Sequence, residues 1–240
     1  MKYMGSKARF AKEILPIILE SRKPNQWYVE PFCGGCNTID KVDGNRLAND
    51  INPYLIDMWV ELLTGWVPNE IDKETYIDIR DNKDMYHACE VGWAGFNCSY
   101  GGKYFGGFAG KTKTKINTVR DYQAEAVRNV MRQVKKLKDV IFISAEYWNF
   151  SIPFKSIIYC DPPYQDTTKY SNDFDHDMFW SWVRNKSRLG NSVFVSEYNA
   201  PDDFDCVWEK EAKSSLSANG KCGGNKTSVE KLFKLKVVAV

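Results

Sequence analysis

Two constellations in this sequence join residue types able to do chemistry. The first is Asp161-Pro162-Pro163-Tyr164, directly after the apolar run Ser156 to Cys160. Successive prolines remove two backbone donors and hold the chain in an extended turn, so the Asp161 carboxylate and the Pro162 carbonyl can point at one ligand group. An exocyclic amino group offers two donors to two such acceptors. Tyr164 adds a π face on which a planar base taken out of its duplex can stack. A proline-rich turn that merely caps a strand would account for the prolines but not for the acid and the aromatic that bracket them. The second constellation is Glu30, Gly34, Gly35 and Asp50. Asp50 lies 20 residues beyond Glu30, close to the spacing at which a doubly wound fold brings a carboxylate to a ribose hydroxyl. The loop lacks the full glycine fingerprint, so alone it indicates a nucleotide-like ligand at the carboxyl edge of a sheet and no particular cofactor.

Other candidates are weaker. Cys33-Gly34-Gly35-Cys36 is formally a CxxC, but no second pair exists, and His87 and His176 have no evident ligand partner, so neither zinc nor redox chemistry is expected. Met4, Trp59, Trp66 and Trp93 read as core. Tyr104, Phe105 and Phe108 lie among glycines with Lys103 and Lys111 interleaved; they fit a core, and somewhat better a loop facing nucleic acid.

The elements that must position these residues follow from periodicity and punctuation. Trp27 to Phe32 reads as a strand entering a tight turn, Asn45 to Asn49 as a second strand, and Pro53 opens an amphipathic helix that stops at Gly65. Residues 70–92 are mixed and expected to be helical. The stretch from Ser99 to Lys115 has too many glycines for an ordinary helix and reads as a hairpin or exposed loop. A long helix is expected from a Thr118 cap, with a basic last turn. Val140 to Ser144, Ser156 to Cys160 and Ser192 to Ser196 lack alternation, as strands buried on both faces of a parallel sheet do. A helix over Asp175 to Leu189 separates the last two, and 204–211 with 228–238 suggest an antiparallel edge pair. An α/β sheet in two sequence blocks, 1–66 and 139–240, is therefore expected, with an insertion over 67–138.

Composition agrees. With 240 residues, 43% hydrophobic, 27% charged and 14% aromatic, the chain is long enough for a sizeable core and unlike disordered, collagenous or coiled-coil sequences. No apolar run approaches a membrane span. Seven cysteines and no signal-peptide pattern suggest free thiols in a reducing compartment, the cytoplasm. Net charge is only +2, yet residues 101–140 hold ten Lys or Arg against three acids. A basic block inside an otherwise acidic chain suits a polyanion, and a solvated helix face explains it nearly as well.

The motifs KYMGSK at 2–7, VEPFCGG at 29–35, ANDIN at 48–52, CSYGGKYFGG at 98–107, DPPY at 161–164 and FVSEYNAP at 194–201 cover nearly the whole chain. In type and order they resemble the Dam-type, alpha-group DNA adenine-N6 methyltransferases, particularly the solitary phage and prophage enzymes. That resemblance implies a Rossmann-like sheet that binds S-adenosylmethionine (AdoMet), with an inserted, mostly helical DNA-recognition region carrying a hairpin. It implies that Tyr3, Lys7, Glu30, Pro31, Phe32, Gly34, Asp50 and Asp161 contact AdoMet, and that Asp161, Pro162 and Tyr164 hold a flipped adenine. Lys103, Tyr104, Lys111, Lys113 and Lys115 are the candidate contacts to double-stranded DNA. Members that read GATC carry an arginine where this chain has GGKYFGG with Lys103 as its only charge. A metal-free monomer is expected. RNA, cytosine N4 or a protein amide as acceptor, and a silent DNA-binding protein, are the competing readings; the last would need a damaged DPPY or cofactor loop, and both are intact.

Overall fold

The computed structural model describes residues 1–114, 117–165, 174–213 and 227–236. They form two compact units, Met1–Ala11 with Phe32–Ser151 and Lys12–Pro31 with Ile152–Val240.

The first unit contains β2 (Arg46–Asp50), α2 (Pro53–Thr64), α3 (Lys73–Asp81), α4 (Ala88–Asn97), the hairpin β3 (Lys111–Lys113) and β4 (Val119–Asp121), α5 (Tyr122–Val134) and β5 (Val140–Ser144). β2 and β5 are parallel, in register from Arg46 opposite Val140 to Asp50 opposite Ser144. Pro53 supplies the first residue of α2 and Gly65 ends it at φ 105°, as the sequence indicated, and Asn52 caps it by accepting the Leu55 N–H at 3.2 Å. α4 packs on α2 so closely that a Cβ at Gly92 would lie 2.1 Å from the Tyr54 carbonyl oxygen. Trp59 and Trp93 are buried and Trp66 meets Trp93 edge-on. α4 therefore shares a core with α2.

Two expectations are corrected here. The long helix begins at Tyr122, not at Thr118. Val119–Asp121 pairs antiparallel with Lys111–Lys113, Thr118 bonds Thr114 to close that hairpin, and Asp121 caps the helix by accepting the Ala124 N–H at 2.9 Å. β5 is not buried on both faces either. It ends the strand order, and Ile141 is half exposed.

The second unit holds most of α1 (Ala11–Leu19), then β1 (Tyr28–Glu30), β6 (Ile157–Cys160), α6 (His176–Arg188), β7 (Ser192–Glu197), β8 (Phe204–Lys213) and β9 (Thr227–Leu235). β1, β6 and β7 are parallel neighbours. β9 runs antiparallel to β7, and β8 antiparallel to β9, with a bulge between Cys206 and Trp208. Every residue of β6 is buried, as is all of β7 but its first, which explains their unalternating sequence. Within this unit the strand order is β1-β6-β7-β9-β8, and ligands of open α/β sheets bind beyond the carboxyl ends of the parallel strands.

Candidate active site

In the first unit the glycine turn after β1 is held at nearly every peptide. Cys33 N–H donates to the Asn49 carbonyl at 2.8 Å and Gly34 N–H to Asp50 Oδ2 at 3.0 Å. Trp59 Nε1 donates to the Gly34 carbonyl at 3.3 Å, and the buried Gln133 amide donates to the Gly35 and Cys36 carbonyls at 2.9 Å each. Gly34 sits at φ 46°, open to glycine at no steric cost. The Tyr3 ring covers the turn so closely that Cβ atoms at Gly34 and Gly35 would lie 2.6 Å from the tyrosine side chain. The structure thus brings Tyr3, Gly34 and Asp50 together. Lys7 is buried, with Nζ donating to the Gly5 carbonyl at 3.3 Å, and Phe32 packs on Tyr147 with ring centroids 5.3 Å apart.

Asp50 does more than the sequence suggested. Its second oxygen accepts the Asn52 N–H at 3.0 Å, so one carboxylate ties the turn to the start of α2. Burial raises its pKa above the usual carboxylate range, and the Asn52 and Gly34 N–H groups partly offset that. Each oxygen keeps a lone pair for a further donor. Asn37 Nδ2, beside Gly35, is buried without a hydrogen-bond partner. A half-buried acceptor and an unsatisfied buried donor beside a fixed glycine turn fit the ribose and polar groups of a nucleoside cofactor.

In the second unit Glu30 ends β1, buried and accepting the Tyr28 hydroxyl at 2.9 Å, with Pro31 buried after it. Asp161, Pro162 and Tyr164 follow the neighbouring β6. Pro162 is buried, and Asp161 and Tyr164 are partly exposed. Tyr164 donates its hydroxyl to Glu230 Oε2 at 3.1 Å and meets the Tyr198 ring edge-on at 4.7 Å. Burial, then the charges of Asp161 and Glu230, push its pKa well above the ordinary value, so it stays a neutral donor. Glu197, 2% exposed, accepts the Gln165 N–H at 3.1 Å and the Tyr198 N–H at 2.7 Å. Sequence reasoning assigned no role to Glu197 or Glu230. FVSEYNAP was the one signal for Glu197, and Glu230 lies in β9, an antiparallel strand between β7 and β8 whose sequence marks no site. Cys160 is fully buried and its thiol pushed well up by burial, an inert group rather than a nucleophile.

The basic residues are less uniform than their charge suggests. Lys111 is paired with Glu70 at 2.7 Å and Asp121 at 3.6 Å. Lys103 and Lys113 are exposed, and Lys115 lies outside the described residues. Tyr104 is not held out as a platform. Its ring packs against Phe96 and Phe105 at 4.8 Å each, and its buried hydroxyl has a pKa pushed up to about 12 by burial. Arg120, absent from the sequence-derived set, is gripped by Glu125 through two 2.8 Å bonds and lies 4.5 Å from the Tyr122 ring centroid. Lys2 reaches the same carboxylate at 3.4 Å. Among the described residues no group of three or more His, Cys, Asp or Glu could hold a metal ion, and no helix is long and apolar enough to cross a membrane.

Comparison with known proteins adds what geometry does not. The family model of the D12 class N6 adenine-specific DNA methyltransferases matches residues 3–194. The type II methyltransferase M.FokI of Planomicrobium okeanokoites is 26% identical over 217 residues, 77% of this chain and 31% of that protein. The DNA adenine methylase of Vibrio cholerae El Tor N16961 is 29% identical over 224 residues, 82% of this chain and 74% of that enzyme. The chain thus spans less than a third of the first relative. A solved methyltransferase structure, SMU.472 complexed with SAH, aligns with a TM-score of 0.37 and 12% identity over 98% of this chain and 55% of that one.

Proposed function

The chain belongs to the D12 class of N6 adenine-specific DNA methyltransferases, and from that premise we propose which of its residues perform adenine methylation. AdoMet supplies an electrophilic methyl group on a sulfonium. Tyr3, Lys7, Glu30, Pro31, Phe32, Gly34 and Asp50, with Asp161, hold it. The rigid glycine turn lets backbone approach the ligand closely, and the Asp50 carboxylate accepts from ribose. The Asp161 carboxylate and the Pro162 carbonyl accept the two N6 hydrogens of a flipped adenine. This draws the amino nitrogen toward tetrahedral geometry and frees its lone pair as the attacking group. Positive charge then develops on N6 beside the fixed Asp161 carboxylate, which favours the transition state over the ground state. Tyr164 stacks the base, and Lys103, Lys111, Lys113 and Lys115 meet the duplex. The protein works without metal, as a monomer in solution, in the cytoplasm.

The observation that carries this assignment is the turn itself. Asp161, Pro162 and Tyr164 leave a fully buried central strand, and the tyrosine is orientated by a buried carboxylate. Sequencing that distinguishes modified bases, applied to DNA treated with the purified protein and AdoMet, tests it. N6-methyladenine in a defined sequence context is expected. N4-methylcytosine, or label passing only to RNA or protein, would overturn it.

A further inference from the structure

The turn after β6 has a structural difficulty that its sequence creates. β6 and β7 are in register up to Cys160 opposite Val195. Beyond that point Pro162 and Pro163 carry no N–H, so the main-chain ladder lacks two donors where the catalytic groups need to be held most rigidly. Glu197, the last residue of β7, reaches across this gap. One of its oxygens accepts the N–H of Gln165, the residue after the DPPY, and the other accepts the N–H of Tyr198. The ring of Tyr198 in turn stands edge-on to that of Tyr164 at 4.7 Å. Glu197 is itself 2% exposed, and bonds from backbone donors to a carboxylate are the stronger, charge-assisted kind.

We propose that Glu197 is a positioning residue for adenine methylation: its carboxylate replaces the ladder that the two prolines forbid and fixes the far end of the turn carrying Asp161, Pro162 and Tyr164. This rests on the reading of that turn as the adenine site. Glu197 does not touch the substrate; it sets where the acceptors and the stacking ring stand. Removing such support changes the rate of the chemical step more than the affinity for either ligand, because misplacement is felt most in the transition state.

Glu197→Gln tests this with little change of shape. The amide keeps one acceptor and sets an NH2 against one of the two N–H groups, so one bond is replaced by a donor–donor contact. Single-turnover transfer of labelled methyl from AdoMet to unmethylated duplex DNA should slow by about 10- to 100-fold, the size of effect that outer-shell partners exert on the groups they hold. Dissociation constants for AdoMet and DNA should stay within about threefold. Ser196→Ala is the control. It deletes a neighbouring buried bond, to the Tyr159 hydroxyl at 2.8 Å, and should lower the melting temperature while sparing the rate. A Glu197→Gln rate within about threefold of the parent, or a fall in rate that merely follows the fall in melting temperature as in Ser196→Ala, would overturn the proposal. Should Glu197→Gln not fold, Glu197→Asp keeps both acceptors on a shorter arm and is held to the same criteria. Failure of both to fold would make Glu197 purely structural and overturn the proposal equally. Absence of methyl transfer to DNA by the parent protein would instead sink the functional reading on which the proposal stands.

Discussion

Asp161 and Tyr164 share one turn, yet their removal should look different. Asp161→Ala deletes one of two acceptors for the amino group, and because that interaction strengthens as charge develops on N6, single-turnover methylation should fall by about two to three orders of magnitude while DNA binding survives. Tyr164→Ala keeps both acceptors and removes the stacking face, a cost of roughly 1–3 kcal/mol that a mismatch opposite the target should partly repair. Single-turnover rates and 2-aminopurine fluorescence on matched and mismatched duplexes separate the two. Near-normal methylation by Asp161→Ala would remove DPPY from the mechanism. Asp50 gives a pH prediction. Its carboxyl has a folded pKa raised by burial, so its contribution to stability is complete below the unfolded pKa and is lost as pH rises through the folded one. A ribose donating to the ionised carboxylate lowers that value again, so AdoMet binding near the raised pKa should release protons. Calorimetry in two buffers of different ionisation heat measures this, and equal heats across that pH range would argue against the ribose bond.

At the scale of elements, α5 and the β3–β4 hairpin make separable predictions. The side chain of Gln133 on α5 bonds two successive carbonyls of the glycine turn. Gln133→Leu removes the side-chain donor to the Gly35 carbonyl and leaves the Cys36 carbonyl with the Asp40 N–H at 3.3 Å, a loss of about 1–3 kcal/mol, and should weaken AdoMet binding with DNA affinity unchanged. On the hairpin, Lys111 already has Glu70 as partner at 2.7 Å and Asp121 at 3.6 Å. Replacing Lys111 and Lys113 by Ala should flatten the salt dependence of DNA binding by up to about 0.9 log units for each phosphate no longer neutralised. Glu70→Ala, which removes the nearer of the two acidic partners of Lys111, should steepen it. Titrations at several salt concentrations decide between a phosphate-binding hairpin and a solvated face, the latter leaving all slopes alike.

For the molecule as a whole, cofactor binding is linked to stability by mass action. AdoMet at about 100 times its dissociation constant should stabilise the folded protein by about 2.7 kcal/mol, seen as a raised melting temperature that EDTA leaves unchanged. A rise that appears only with added divalent ion would contradict a metal-free cofactor site. Because α4 packs its Gly92 backbone against the Tyr54 carbonyl of α2, the 67–138 region should unfold together with the 1–66 segment rather than as an independent module. Hydrogen exchange should therefore show α2 and α4 losing protection together.

Local chemistry was legible in the sequence wherever it depends on residues close in the chain. Pro53 and Gly65 mark the ends of α2, unalternating apolar runs mark β6 and β7, and two prolines after Cys160 mark where β6 ends. What the sequence left open were questions answered only by distant partners. Tyr3 lies over a turn some thirty residues away in sequence. Glu197 and Glu230 lie 32 and 66 residues from the groups they hold. A carboxylate on a strand reads as an ordinary polar residue until folding brings a backbone N–H or a tyrosine hydroxyl against it. Its role is set by long-range pairing geometry, not by spacing along the chain.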